Sequence, residues 1–294
     1  MTDEVEEAVR AAGGGAVVRK FRPGGGERND VWLVDAAQAG PLVVRFLADG
    51  RRHAMEVALL ARAAAAGVPV PEVLWASAAP RPVMVQRHLR GEQLADVEPT
   101  DELCRSVAGT LRAIHAIPVA GGFGNLDGDL RGEDARLSTW FIERVEREAD
   151  AVSTNLSAED GRLVEDVLGR LHAARLLLDA QPSGLAHGDV QPFNLLVDGG
   201  RVTGVLDWEA AKAGPPAFDL GWWDWFSTSW STPWPTEAML EHYDPDGRLD
   251  REELDEVLRL VVTRVWLREL LAGAGKGDEP RAAAARRGLV DLRR

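Results

Sequence analysis

Apolar residues recur along this chain with two different periods, and the period changes with position. Over roughly the first ninety residues they come in short runs of β-branched and aromatic side chains. Runs at 16–21, 30–34, 41–47 and 82–89 predict strands. An alanine- and leucine-rich segment over 52–66 predicts a helix between the third and fourth runs, closed by Gly67 and Pro69. Beyond residue 100 the spacing becomes helical. Leu103, Val107, Leu111 and Ile114 form one apolar stripe over 101–117, and further stripes predict helices over 137–151, 159–178 and 251–271. The Gly- and Asp-rich stretch 118–136 reads as a long loop. The later part is otherwise expected to be helical, except for one hairpin.

That hairpin carries the most informative residues. Leu195-Leu196-Val197 and Arg201-Val202-Thr203-Gly204-Val205-Leu206 flank Asp198-Gly199-Gly200, whose glycines supply the positive φ of a tight turn. Folding it brings Asn194 and Asp207 to the same end of two paired strands. Asp189 lies just upstream, on the loop that feeds the first strand. One carboxylate to take a hydroxyl proton, with an Asn and an Asp to hold magnesium on phosphates, is the equipment of a phosphoryl-transfer site.

The run His187-Gly188-Asp189-Val190-Gln191-Pro192-Phe193-Asn194, with Val205-Leu206-Asp207-Trp208-Glu209 and Ala217-Phe218-Asp219-Leu220 after it, resembles the aminoglycoside phosphotransferase and choline kinase-like family. The order and spacing of the three clusters are those of that family. Gly188 stands where protein kinases have Arg, and no Ala-Pro-Glu follows Asp207, which argues against a protein kinase. Pro215 departs from the family, whose members often carry Asp there. The resemblance runs from about Gly24 to about Trp230 and is strongest over 185–221.

It implies an α+β, two-lobed protein-kinase-like fold. A small β-rich lobe with its hinge would occupy residues 1–90, and a larger helical lobe 91–294. It implies ATP or GTP and Mg2+ as cofactors, with the nucleotide between the lobes. Asp189 would be the catalytic base, and Asn194 and Asp207 the metal ligands. Gly25 and Gly26, in a pattern similar to the family's Gly-Gly-x-x-Asn, would approach the phosphates. Arg45 on the third strand, paired with Glu56, would contact the nucleotide, with Arg here in place of the kinase Lys. Backbone groups around Gln86 and His88 would meet the adenine. His187 and Asp219 would hold the loop in shape.

Composition narrows the partners. A formal charge of −13 argues against nucleic acid and is compatible with a cationic small-molecule acceptor. The acidic opening residues lack a signal-peptide core, and no apolar run reaches the ~20 residues of a membrane span. A cytoplasmic monomer or homodimer with no membrane partner is therefore expected. The single cysteine, Cys104, precludes an intramolecular disulfide and suits helix packing. Trp222, Trp223, Trp225, Trp230 and Trp234 cluster after Asp219. They either pack the helical lobe or wall an acceptor pocket, with Asp224, Glu237 and Glu241 placed to meet substrate amines. The acceptor is an antibiotic such as an aminoglycoside, or a metabolite such as choline, an amino acid or a sugar. A nucleotide-binding regulator without turnover is the competing class, and the complete Asp189, Asn194 and Asp207 set argues against it.

Overall fold

The computed structural model describes residues 2–23, 29–48, 50–229 and 234–292. In chain order its elements begin with α1 (Thr2–Ala11), β1 (Val17–Phe21), β2 (Asp30–Ala36), β3 (Gly40–Phe46), α2 (Gly50–Ala65), β4 (Val73–Ser77), β5 (Val83–Arg87), β6 (Glu92–Gln93) and α3 (Asp101–His115). Next come β7 (Phe123–Leu126), β8 (Gly132–Asp134), α4 (Arg144–Val152), α5 (Ala158–Ala173), α6 (Arg175–Ala180), β9 (Gly184–Ala186), β10 (Leu195–Asp198) and β11 (Arg201–Val205). The chain ends with β12 (Lys212–Gly214), α7 (Ala217–Ser229), α8 (Thr236–Tyr243), α9 (Arg251–Lys276) and α10 (Glu279–Asp291). The architecture is α+β, with a β-sheet N-terminal region and a largely helical C-terminal part.

The chain divides into two compact units. The first comprises Met1–Ile117, Leu126–Leu130 and Pro192–Ala210. Its five-stranded antiparallel sheet has the order β1-β2-β3-β5-β4. One core joins Val5 and Val9 of α1 to Val34, Leu42, Val44 and Val85 of the sheet. A second sheet, β11-β10-β6, carries the hairpin. The division expected at residue 90 is not where the packing divides. β6 pairs with β10, matching Gln93 with Leu196 and Glu92 with Val197, and the Ser106 hydroxyl of α3 accepts from Val202 N–H at 2.9 Å. These bonds keep residues 91–117 and the hairpin with the N-terminal unit.

α3 starts where its sequence says it should. Thr100 caps it by accepting from Leu103 N–H at 3.2 Å, and Asp101 and Glu102 favour the positive N-terminal dipole end. Cys104 is buried in this helix, in the packing role expected of it.

The second unit comprises Pro118–Asn125, Arg131–Gln191 and Ala211–Arg294. Its core gathers Leu137, Phe141, Val145, Val167, Leu171, Phe218, Leu267 and Leu270. Three expectations are corrected here. The stretch 118–136 contains β7 and β8, which join β12 and β9 in a sheet of order β8-β7-β12-β9, so the hairpin is not the only β-structure past residue 91. The helix expected over 159–178 breaks at Ala174, whose φ of −85° and ψ of 8° leave the helical region, and α6 restarts at Arg175. α9 runs five residues past Leu271 to Lys276, through Gly273, where a Cβ would lie 2.8 Å from Ala282 N of α10, so that this glycine serves helix packing and does not end the helix. Helix termination comes at Gly277, left-handed at φ 68°.

Candidate active site

The hairpin turn is formed by Gly199 and Gly200 at φ 55° and 76°, the conformation of a type I′ turn that favours glycine. Leu195 pairs with Val205, and Leu206 N–H donates to the Asn194 carbonyl at 2.8 Å. Asn194 and Asp207 therefore sit side by side at the open end of the ladder. Asp207 is half-buried and adopts φ 60°, a left-handed conformation uncommon for a residue with a side chain. Trp208 holds the turn that follows: it is buried and donates its indole N–H to Val205 O at 3.1 Å.

β3 and α2 bring a charged group to the same unit. Arg45 donates to Glu56 Oε1 in a short ion pair, and its second guanidinium nitrogen lies 3.9 Å from Asp207 Oδ1. Glu56 is fully buried, and burial is the largest influence on its carboxyl, raising its pKa. Arg45 opposes that rise, while the charges of Asp207 and Glu209 add to it. Among the described residues, Glu56 Oε2 is buried and has no hydrogen-bond partner. Asn29 donates to Glu209 at 2.9 Å, which ties the start of β2 to the residues after Asp207. The Arg45–Glu56 pair is thus a buried ion pair.

Gln86 is buried in β5, where it pairs with Val43, and the His88 N–H is donated to Pro41 O at 3.2 Å. Gly25 and Gly26 lie outside the described residues.

Asp189 belongs to the second unit, on the loop from His187 that passes into the first unit at Pro192. The loop is held from α7: Asp219, fully buried, accepts from His187 N–H at 2.8 Å and from Gly188 N–H at 2.7 Å. Gly188 is left-handed at φ 80°, which accounts for glycine in that position. The Asp189 carboxylate is itself gripped by Gln191, whose side-chain amide donates to both oxygens at 3.2 Å. Sequence reasoning missed Gln191, although its position two residues after Asp189 offered a signal. It also missed Lys212 on β12, which donates to Gly188 O at 3.4 Å.

Of the tryptophans, Trp223, Trp225 and Trp234 are buried, Trp222 is half-buried, and Trp230 lies outside the described residues. Trp223 packs edge-on to Trp234 at 6.2 Å, and Trp225 edge-on to Trp266 at 5.5 Å. At least three of these rings are structural. Asp224 is half-buried, and its carboxyl is pushed up by burial and then by the charge of Glu237, against a hydrogen bond from Thr236. Glu237 and Glu241 are exposed.

A magnesium ion fits the first unit's donor set. Asn194 and Asp207 both offer oxygen, the donor such a hard cation takes, and Glu56 and Asp207 both lie against the Arg45 guanidinium. No group of three or more His, Cys, Asp or Glu that could hold a metal occurs among the described residues. Magnesium does not need one, since it is commonly held by one or two carboxylates together with substrate phosphates.

A profile of the phosphotransferase enzyme family (APH) matches residues 21–257. The chain is 31% identical over 154 residues to the uncharacterized protein YcbJ of Bacillus subtilis (strain 168), spanning 51% of this chain and 45% of that protein. It is 25% identical over 199 residues to a homoserine kinase of Pseudomonas aeruginosa, spanning 65% of this chain and 59% of that protein. The chain thus spans less than two thirds of the length of these curated relatives. It is also similar to a solved structure of a thermostable mutant of aminoglycoside phosphotransferase APH(4)-Ia, in ternary complex with AMP-PNP and hygromycin B. The TM-score is 0.80 at 21% identity, over 98% of this chain and 97% of that one. The likeness shows a shared kinase-like fold. Among the described residues no helix is long and apolar enough to cross a membrane.

Proposed function

The chain belongs to the phosphotransferase enzyme family, and from that premise we propose that it moves the γ-phosphoryl group of ATP or GTP to a hydroxyl of a small molecule. The observation that carries this reading is the end of the hairpin, where Asn194 and Asp207 stand together and Arg45, paired with Glu56, approaches Asp207 to 3.9 Å. In this reading Asn194 and Asp207 hold magnesium, which when bound neutralises charge on the phosphates. Arg45 binds the nucleotide phosphates, and Glu56 fixes the guanidinium. The backbone at Gln86 and His88 receives the adenine, and Gly25 and Gly26 belong to the loop over the phosphates.

Asp189 orients the acceptor hydroxyl. As the acceptor oxygen bonds to the γ-phosphorus, the bond from that phosphorus to the bridging oxygen breaks and the nucleoside diphosphate leaves. The hydroxyl proton passes to the Asp189 carboxylate and then to solvent. A loose transition state asks chiefly for alignment, which the bonds from Gln191 and Asp219 supply by fixing the loop and its carboxylate.

For the acceptor, the fold shared with APH(4)-Ia over nearly the whole chain supports an antibiotic of the aminoglycoside type. The homoserine kinase relative supports an amino-acid metabolite instead. The test is a screen for Mg-ATP and Mg-GTP consumption against aminoglycosides, macrolides, homoserine, choline and sugars, followed by mass spectrometry of the product. An added phosphoryl on one acceptor, lost in D189N, is expected. Consumption of neither nucleotide with any acceptor class would refute the reading.

A further inference from the structure

Lys212 is one of only three lysines in a chain with 34 basic residues, and it stands beside the loop that carries Asp189. Its half-buried side chain donates to Gly188 O at 3.4 Å. That carbonyl belongs to the peptide bond leading into Asp189, so a rotation there would swing the carboxylate. Gly188 offers little resistance of its own, being glycine at φ 80°. The two sides of the residue are held separately: Asp219 takes its N–H at 2.7 Å, and Lys212 takes its carbonyl.

The charges facing Lys212 come from three directions. Asp219 on α7 and Asp189 on the loop favour its ammonium form, whereas Arg264 and Arg268 on α9 oppose it. Both arginines are engaged elsewhere. Arg268 pairs with Glu148 at 3.0 Å, while Arg264 donates to Phe141 O at 3.1 Å and lies over the Trp140 and Phe141 rings. Burial is the largest influence, and the lysine's pKa is lowered to about 8.

We propose that the Lys212 ammonium is a positioning residue for phosphoryl transfer: it fixes the Gly188–Asp189 peptide through its carbonyl and balances Asp189 and Asp219, so that turnover falls when it loses its proton. The proposal rests on Asp189 being the base. Lys212 is charged below its pKa and neutral above it, so kcat should decline as pH rises through about 8. Replacing the lysine removes the bond altogether and should lower kcat about tenfold, whereas deprotonation removes the charge and leaves a neutral N–H donor.

The test uses the full chain with Mg-ATP and water as acceptor, measuring phosphate release. K212M should lower kcat at neutral pH and abolish the alkaline decline. K212R should recover rate relative to K212M and move the decline to higher pH. KM for Mg-ATP should stay within about twofold in both, because Arg45, Asn194 and Asp207 belong to the other unit. A readout independent of turnover is pH-dependent acylation by acetic anhydride, followed by peptide mass spectrometry with Lys20 and Lys276 as internal comparators. Lys212 should titrate near pH 8, and lower still in D219N and D189N, which remove charges favouring the ammonium.

A K212M enzyme that keeps the wild-type rate and alkaline decline would overturn the proposal, as would a Lys212 titration indifferent to both carboxamide variants. Should K212M fail to fold, K212R and the acylation titration still decide. Undiminished turnover in D189N would instead remove the Asp189 assignment, and the proposal with it.

Discussion

Replacing Asp219 by asparagine should loosen the loop that carries Asp189 and cost measurable stability. The native carboxylate is fully buried and accepts two backbone bonds, from His187 N–H at 2.8 Å and Gly188 N–H at 2.7 Å. A bond to a charged acceptor contributes about 1.5–3 kcal/mol net. Asparagine keeps one oxygen and turns an NH2 donor toward the other N–H, so one bond is lost and the remaining one is weakened. The expected loss is about 3 kcal/mol. For a domain of ~150–250 residues each kcal/mol shifts Tm by roughly 2–4 °C, giving a drop of roughly 6–12 °C. The alanine variant should lose at least as much, since both buried N–H groups would lack a partner. Calorimetry on wild type, D219N and D219A reads the stability, and initial rates with Mg-ATP read the function. In D219N kcat should fall while KM for the nucleotide stays near wild type, because the loop misplaces Asp189 without touching Arg45. A Tm within about 2 °C of wild type together with full turnover would refute the argument that Asp219 holds this loop.

Asp189→Ala should abolish transfer and leave Mg-ATP affinity within a few-fold by calorimetry. Activity above about a tenth of wild type would take Asp189 out of the base role, since such contributions run ~10²–10⁴-fold. Asp207→Asn should weaken Mg-dependent nucleotide binding as well as rate, and unchanged affinity by the same method would contradict a metal-binding role. Arg286 grips Asp160 with bonds of 2.6 and 3.0 Å, and these lead the causes that hold the Asp160 carboxyl below its usual range. A depressed folded-state pKa adds stability that is complete above the unfolded value of about 3.9 and vanishes as pH falls through the folded value. D160N should therefore lower Tm near neutral pH and converge with wild type as pH falls through the depressed folded-state value, so a deficit that stays equal from neutral pH into strong acid would sink this assignment.

What could be read in the sequence was whatever local chemistry decides. Asp198-Gly199-Gly200 between apolar, β-branched runs demands a tight turn, which brings Asn194 and Asp207 to the same end of the hairpin, while the register shift between Leu196 and Val197 that sets Asn194 against Leu206 could not be read. The stripe on α3 and the Thr100 cap are equally local. The short strands Phe123–Leu126, Gly132–Asp134, Gly184–Ala186 and Lys212–Gly214 were not legible. Each is three or four residues long, too short to show a period, and exists only because distant segments pair with it. The same holds for the electrostatics. Nothing near Lys212 in the chain indicates a pKa of about 8, since burial sets it and Asp189, Asp219, Arg264 and Arg268 reach it only through folding. The residue types that suit phosphoryl transfer are thus written along the chain, but their protonation and grip depend on burial and on neighbours from remote positions, which only the tertiary structure decides.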